Sequence, residues 1–126
     1  MFALIDSNIF VDHFRGRNEA TEFLKKCIIE YDIVYYSVIS RIELMAGMRK
    51  KEEPIINDFL SVFKEVEVSN EIAYLAGIYM NKYMKSHGIN VPDAIIAASA
   101  SNLNACLYTL NSKHFPMHDI KTCRPY

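Results

Sequence analysis

The sequence predicts an α/β fold, with a mostly parallel central sheet flanked by helices. Two observations carry this. Short apolar, β-rich runs occur at residues 2–5, 33–36 and 105–109, and longer stretches between them place apolar residues at helical spacing. Strands that alternate with helices form parallel sheets, because a parallel crossover needs a helix-length connection. A chain of 126 residues is expected to be one domain, residues 1–126, burying about two thirds of its unfolded surface.

Each element has its own reason. Phe2-Ala3-Leu4-Ile5 is an unbroken apolar quartet ended by the turn formers Asp6-Ser7, hence a buried strand. Ile9, Phe10, His13 and Phe14 then fall at helical spacing, until Arg15-Gly16-Arg17-Asn18 breaks the helix. Residues 19–30 carry the stripe Ala20, Phe23, Leu24, Cys27 and Ile28. Ile33-Val34-Tyr35-Tyr36 is the second strand, followed by a helix from Ser37 to about Lys50 with Ile39, Ile42, Met45, Ala46 and Met48 as its apolar residues. Glu52-Glu53-Pro54 opens a helix that ends near Phe63, since acids and proline suit a first turn. Val66-Glu67-Val68 is a brief strand. Residues 70–86 form the longest helix, closed by His87-Gly88. Pro92-Asp93 begins a helix of small residues, residues 105–109 form a strand, and a last short strand includes Ile120.

Composition excludes several classes. No apolar run approaches the ~18 residues needed to span a bilayer, and the N-terminus lacks the basic lead of a signal peptide. A cytoplasmic protein without membrane association is expected. Cys27, Cys106 and Cys123 are odd in number and lack metal or redox spacing, so they are read as small core residues. His13, His87 and His118 likewise have no partner at ligand spacing. A net charge of −1 excludes bulk coating of nucleic acid. Local basic clusters remain, at Arg15 and Arg17, Lys25-Lys26, Arg49-Lys50-Lys51 and Lys113; they suit a brief contact with a polyanion or an ordinary solvated surface.

Three acids stand out. Asp6 ends the first strand, Glu43 lies in Ser40-Arg-Ile-Glu-Leu-Met-Ala46, and Asp93 opens Val91-Pro-Asp-Ala-Ile-Ile-Ala-Ala-Ser-Ala100. A carboxylate near a core costs several kcal/mol unless something compensates its charge. Three from three segments point to a shared partner, and a hard divalent cation is the simplest. Plainer uses exist: Asp6 or Ser7 as a helix cap, Glu43 closing a capping box with Ser40, and Asp93 complementing a helix dipole. Ligands in parallel sheets bind beyond the C-terminal strand ends, where Asp6 and Asn111 are expected and where helix starts such as that of Asp93 also point.

Leu4-Ile-Asp-Ser-Asn-Ile-Phe-Val-Asp12, Ser40-Arg-Ile-Glu-Leu-Met-Ala-Gly47, Val91 to Ala100 and Tyr108-Thr-Leu-Asn-Ser-Lys-His-Phe115 together resemble, in order and spacing, the motifs of PIN domains, most closely the VapC-type toxins of toxin–antitoxin pairs. The likeness covers essentially the whole chain. It implies a single PIN-like nuclease domain, a metal-dependent endoribonuclease held inactive by a cognate antitoxin, and a homodimer acting on structured RNA such as tRNA, or on mRNA. It places Asp6, Glu43 and Asp93 in the acidic centre, with Asn8 and Thr109 flanking it. One departure is plain: where the family commonly has a fourth acid before the phenylalanine, this chain has His114.

The chemistry follows from residue type. Mg²⁺, or Mn²⁺, suits a sparse oxygen pocket; such a cation polarises the scissile phosphate, acidifies a water and stabilises the leaving oxygen. Asp6 and Asp93 are expected to be direct ligands, and Glu43 a third ligand or the group that orients the attacking water. Asn111 and His114 can orient water or bond a phosphate. Arg15, Arg17 and Lys113 are expected to meet RNA phosphates. Two rivals differ in class. An aspartyl-phosphate phosphatase wants a second Asp where Asn8 stands, and an amide cannot transfer that proton. A catalytically weak or inactive PIN-fold module that grips RNA or protein is distinguished by whether the chain cuts at all.

Overall fold

In the computed structural model, which describes residues 1–126, five parallel strands form one sheet in the order β3-β2-β1-β4-β5. The strands are β1 (Phe2–Ile5), β2 (Ile33–Ser37), β3 (Lys64–Val66), β4 (Cys106–Tyr108) and β5 (Lys121–Cys123). The helices are α1 (Ser7–Phe14), α2 (Asn18–Glu30), α3 (Val38–Gly47), α4 (Glu53–Leu60), α5 (Asn70–His87) and α6 (Val91–Leu103). None is long and apolar enough to cross a membrane.

Strand order reverses at β1, which pairs with β2 on one side and β4 on the other, with Leu4 opposite both Tyr35 and Leu107. That register aligns the C-terminal ends of β1, β2 and β4, so Asp6, Ser37 and Thr109 leave the sheet along one edge. Such a reversal is where α/β sheets bind ligands.

Successive strand residues point to opposite faces, and β1 divides accordingly. Leu4 joins Tyr35, Leu107, Ile72, Tyr79 and Ile96 beneath α5 and α6, while Ala3 and Ile5 join Phe10, Leu24, Leu60 and Phe63 beneath α1, α2 and α4. The small residues of α6, Ala94, Ala97, Ala98 and Ala100, are fully buried and let it lie close to its neighbours. Gly88 ends α5 at φ +61°, a left-handed position that glycine adopts without strain. Cys27 and Cys106 are buried as expected, and desolvation raises each thiol to about 12. The fold, however, brings Cys106 Sγ to 3.3 Å from Cys123 Sγ across β4 and β5, as free thiols.

Several elements differ from expectation. The third strand is Lys64–Val66, not 66–68, because α4 already ends at Leu60; Val66 is buried, whereas Val68 is exposed and Ser69 begins capping α5. β5 starts one residue after Ile120. Helix α3 stops at Gly47, and Lys50–Glu52 form a separate 3₁₀ turn in which Glu52 accepts from the Arg49 amide at 2.7 Å. The largest difference is the facing of α3. Ile42 is 60% exposed, and the buried residues are Ser40 and Leu44. The helix turns a serine inward because that serine has a buried hydroxyl partner.

Candidate active site

Asp6 is built in by β4 on one side and by the start of α1 on the other. Its backbone amide donates to the Tyr108 carbonyl at 2.9 Å, extending the β1–β4 ladder by one step. Its side chain caps α1, Oδ1 accepting from the Ser7 amide at 2.8 Å, while Oδ2 accepts from Thr109 Oγ1 at 2.7 Å. Thr109 is fully buried and its Oγ1 also accepts from the Asn111 amide at 3.0 Å. Burial nevertheless prevails: desolvation lifts the Asp6 carboxyl above its usual range against these two hydrogen bonds, with nearby Glu43 adding to the rise. The cap is real, but a capping aspartate has no need to be buried.

Glu43 is held across the gap between α3 and α1. Ser7 Oγ lies 2.8 Å from Glu43 Oε1 and 2.8 Å from Ser40 Oγ. A hydroxyl has one proton and an ionised carboxylate only accepts. Ser7 therefore donates to Glu43 and Ser40 donates to Ser7, a two-hydroxyl relay ending on the carboxylate. Helix α3 is capped by Ser37, whose Oγ accepts from the Ile39 amide at 3.1 Å. The Ser40–Glu43 capping box does not form, which leaves Glu43 free for the edge it faces.

Asp93 enters from the first turn of α6, where Asn90 is the cap and accepts from the Asp93 amide at 2.9 Å. Its carboxyl is displaced upward by burial first; His114 pulls it down, and Asp6 and Glu43 push it up. Asp6 and Glu43 thus both act on Asp93. His114 Nδ1 stands 3.4 Å from Asp93 Oδ2. Asn8 Oδ1 is buried without a hydrogen-bond partner.

The other expected residues divide. Arg15 lines a cavity of about 410 Å³ that reaches Glu43 and Glu52 and is walled elsewhere by apolar side chains including Val11, Phe14, Leu44, Met48 and Ile56. Arg17 turns elsewhere, pairing with Asp12 and Glu19 at 3.3 Å each and covering the Tyr126 ring at 4.8 Å. Lys113 and the Asn111 side chain are exposed at the turn Ser112–His114. Ser7 and Ser40, expected to serve in capping, instead form the hydroxyl relay to Glu43. The available signal was spacing, for Ser40 precedes Glu43 by three residues and shares its helix face.

A divalent cation fits the donor chemistry, hard oxygens from Asp6, Glu43 and Asp93, and Asn8 in the first turn of α1 has an unpartnered buried amide oxygen. As they stand, no three Asp, Glu, His or Cys side chains are close enough together to close on an ion; Asp6 and Glu43 are engaged by hydroxyls.

A family model for the PIN domain matches residues 3–118, which include all three acids and His114. The chain belongs to the PIN-domain family. Ribonuclease VapC19 of Mycobacterium tuberculosis is 38% identical over 115 residues, covering 90% of this PIN domain and 92% of that protein. Among solved structures, a toxin–antitoxin complex from Klebsiella pneumoniae superposes with a TM-score of 0.83 at 31% identity, over 98% of both chains. VapBC2 from Rickettsia felis, bound to a fragment of promoter DNA, shares the fold with a TM-score of 0.82 at 23% identity, over 98% of both chains.

Proposed function

We infer that this chain is an endoribonuclease, the toxin of a toxin–antitoxin pair, which hydrolyses RNA phosphodiester bonds in the cytoplasm. The observation that carries the reading is that Asp6, next to Ser7, which bonds Glu43 of α3, stands at the edge where the sheet reverses, with Asp93 in the first turn of α6. Asp6 and Asp93 would hold the cation, Mg²⁺ or Mn²⁺. When bound, it supplies positive charge that polarises the scissile phosphate and stabilises the leaving oxygen.

The chain's own residues do the rest. Glu43, fixed by Ser7, orients the attacking water and takes its proton on Oε. In-line attack at phosphorus breaks the bond to the 3′ oxygen, leaving a 5′-phosphate and a 3′-hydroxyl, with no role for the 2′-hydroxyl as nucleophile. Thr109 holds the Asp6 carboxylate by its hydroxyl. Arg15 and Lys113 are the cations available to RNA phosphates, while Arg17 is engaged by Asp12, Glu19 and Tyr126.

The apolar cavity beside Glu43 suits an antitoxin segment that fills it with aliphatic side chains and sets a basic group against the carboxylate. The substrate is tRNA or mRNA, and the working form a homodimer. End mapping on total cellular RNA tests the reading: wild type should produce discrete 5′-phosphorylated cuts, and Asp93→Asn none. RNA binding without cleavage, under conditions where the metal is present, would favour the non-cutting module instead.

A further inference from the structure

We propose that Arg41 is a positioning residue for Glu43: it sets the roll of α3 about its own axis, and with it where the Glu43 carboxylate stands. This deepens the reading of Glu43 as the group that takes the water's proton, and rests on it. The Arg41 guanidinium has all three nitrogens engaged, each with a different element. Nε donates to Glu65 Oε1 of β3 at 2.6 Å, Nη1 to Asn57 Oδ1 of α4 at 2.9 Å, and Nη2 to the Tyr36 hydroxyl of β2 at 2.9 Å. Tyr36 donates in turn to the same Glu65 oxygen at 3.1 Å, which closes the ring. Glu65 balances the charge of Arg41, so this arginine serves inside the fold and is not one of the cations open to RNA.

Helix α3 needs such a tie. Of its ten residues only Ser40 and Leu44 are buried, with Ile39 partly so, and its apolar seat is therefore narrow. A helix on a narrow seat resists rolling only as far as its flanks are held. At about 100° per residue, Arg41 lies about 100° to one side of Ser40 and Glu43 about 60° to the other. The polar ties thus stand on opposite flanks of the buried stripe. On one, Arg41 grips β2, β3 and α4; on the other, the exposed Glu43 meets Ser7 of α1 through a single bond.

Small rolls are enough to matter. A roll of about 20° carries a side-chain tip about 5.5 Å from the helix axis through about 2 Å, and a misplacement of about 1 Å can cost about a hundredfold in rate. The residue type fits the duty, since a planar fork spans three acceptors where a point charge on a flexible stem does not.

The test is a double-mutant cycle on the full chain, reading single-turnover cleavage at one mapped cut in total cellular RNA, with melting temperature alongside. Arg41→Met should lower turnover about a hundredfold, while affinity for the same RNA, measured in EDTA, stays unchanged. In the Glu43→Gln background the same substitution should lower turnover no further, because the group it positions is already gone. The fall in melting temperature should be equal in both backgrounds. A clamp that is merely structural lowers turnover by one factor in both backgrounds, and that result overturns the proposal, as does wild-type turnover in Arg41→Met. Where Arg41→Met does not fold, Tyr36→Phe, which deletes one hydroxyl from the ring, carries the same comparison: turnover should fall in the wild-type background alone. Glu43→Gln that cuts at the wild-type rate removes the reading of Glu43 itself, and the proposal with it.

Discussion

Removing Ser7's hydroxyl should damage the protein more than removing both hydroxyls of the Ser40–Ser7–Glu43 relay. In Ser7→Ala, Glu43 is exposed and water replaces its lost donor, so that bond costs little. Ser40 is different: it is 0% exposed and its hydroxyl donates to Ser7 at 2.8 Å. Left alone, a buried donor costs about 1–3 kcal/mol. For a chain of this length each kcal/mol moves the melting temperature by about 4 °C, so Ser7→Ala should melt about 4–12 °C lower. Ser7→Ala combined with Ser40→Ala removes the orphan, and replacing both partners by apolar groups is nearly neutral; the double variant should recover most of the loss. Ribonuclease turnover should stay low in both, since neither orients Glu43. Thermal melts and single-turnover cleavage separate the two effects. A double variant that melts at the sum of the two single losses, or turnover that returns with stability, would refute the relay.

RNA cleavage should stop with EDTA and return with Mg²⁺ or Mn²⁺, measured with a clean Asp93→Asn control for contaminating nuclease. Glu43→Gln should fold with an unchanged melt, because the amide oxygen still accepts from Ser7, and lose orders of magnitude in turnover because it cannot take a proton. Arg15→Ala and Lys113→Ala should each lower the salt slope of RNA binding by about 0.7, the counterion share of one single-strand phosphate contact, whereas Arg17→Ala should leave the slope unchanged. Asp6 and Asp93 both titrate above their ordinary value of 3.8, chiefly through desolvation. Between the unfolded and folded values the native state binds more protons, so stability falls as pH rises through that window and the penalty is complete above it. Metal-free protein should therefore gain stability on acidification, and Asp93→Asn should show a flatter profile of melting temperature against pH.

Local chemistry explains what was legible in the sequence. β1 could be read because four apolar residues end at Asp6-Ser7, and α5 because its stripe ends at Gly88; both signals lie within a few residues. The three acids were legible for the same reason, each lying next to the apolar run that delivers it to the edge. What required a distant partner was not. β3 is fixed by pairing Tyr35 with Lys64, and its own apolar residues pointed two positions later. The facing of α3 depends on Ser40 meeting Ser7, 33 positions away in sequence, and periodicity therefore favoured Ile42. Arg17 was read as a free cation because Tyr126 lies at the other end of the chain. The Cys106–Cys123 approach likewise arises from β4–β5 pairing and has no signature in spacing.

The hydroxyls around the acidic edge resolve a conflict that the function creates. Carboxylates poised for a cation repel one another, and burial makes Asp6 and Asp93 less willing to ionise. Thr109 and the Ser7 amide supply donors to Asp6, and Ser7 Oγ supplies one to Glu43, yet desolvation still prevails at Asp6 and Asp93. The metal-free site is therefore a standing charge against the fold. It is opposed directly beneath by Leu4, Ile5 and Leu107, each at most 1% exposed and each contributing about 1.5–3 kcal/mol through burial. An ion that binds the native site alone adds about 2.7 kcal/mol at a hundredfold excess over its dissociation constant, comparable to one of those side chains. Occupancy of the site and integrity of the strands that end in it are thus coupled. A core variant such as Leu4→Ala, which costs about 2–5 kcal/mol, should become more dependent on the cation for folding, although Leu4 touches no part of the acidic edge by its chemistry.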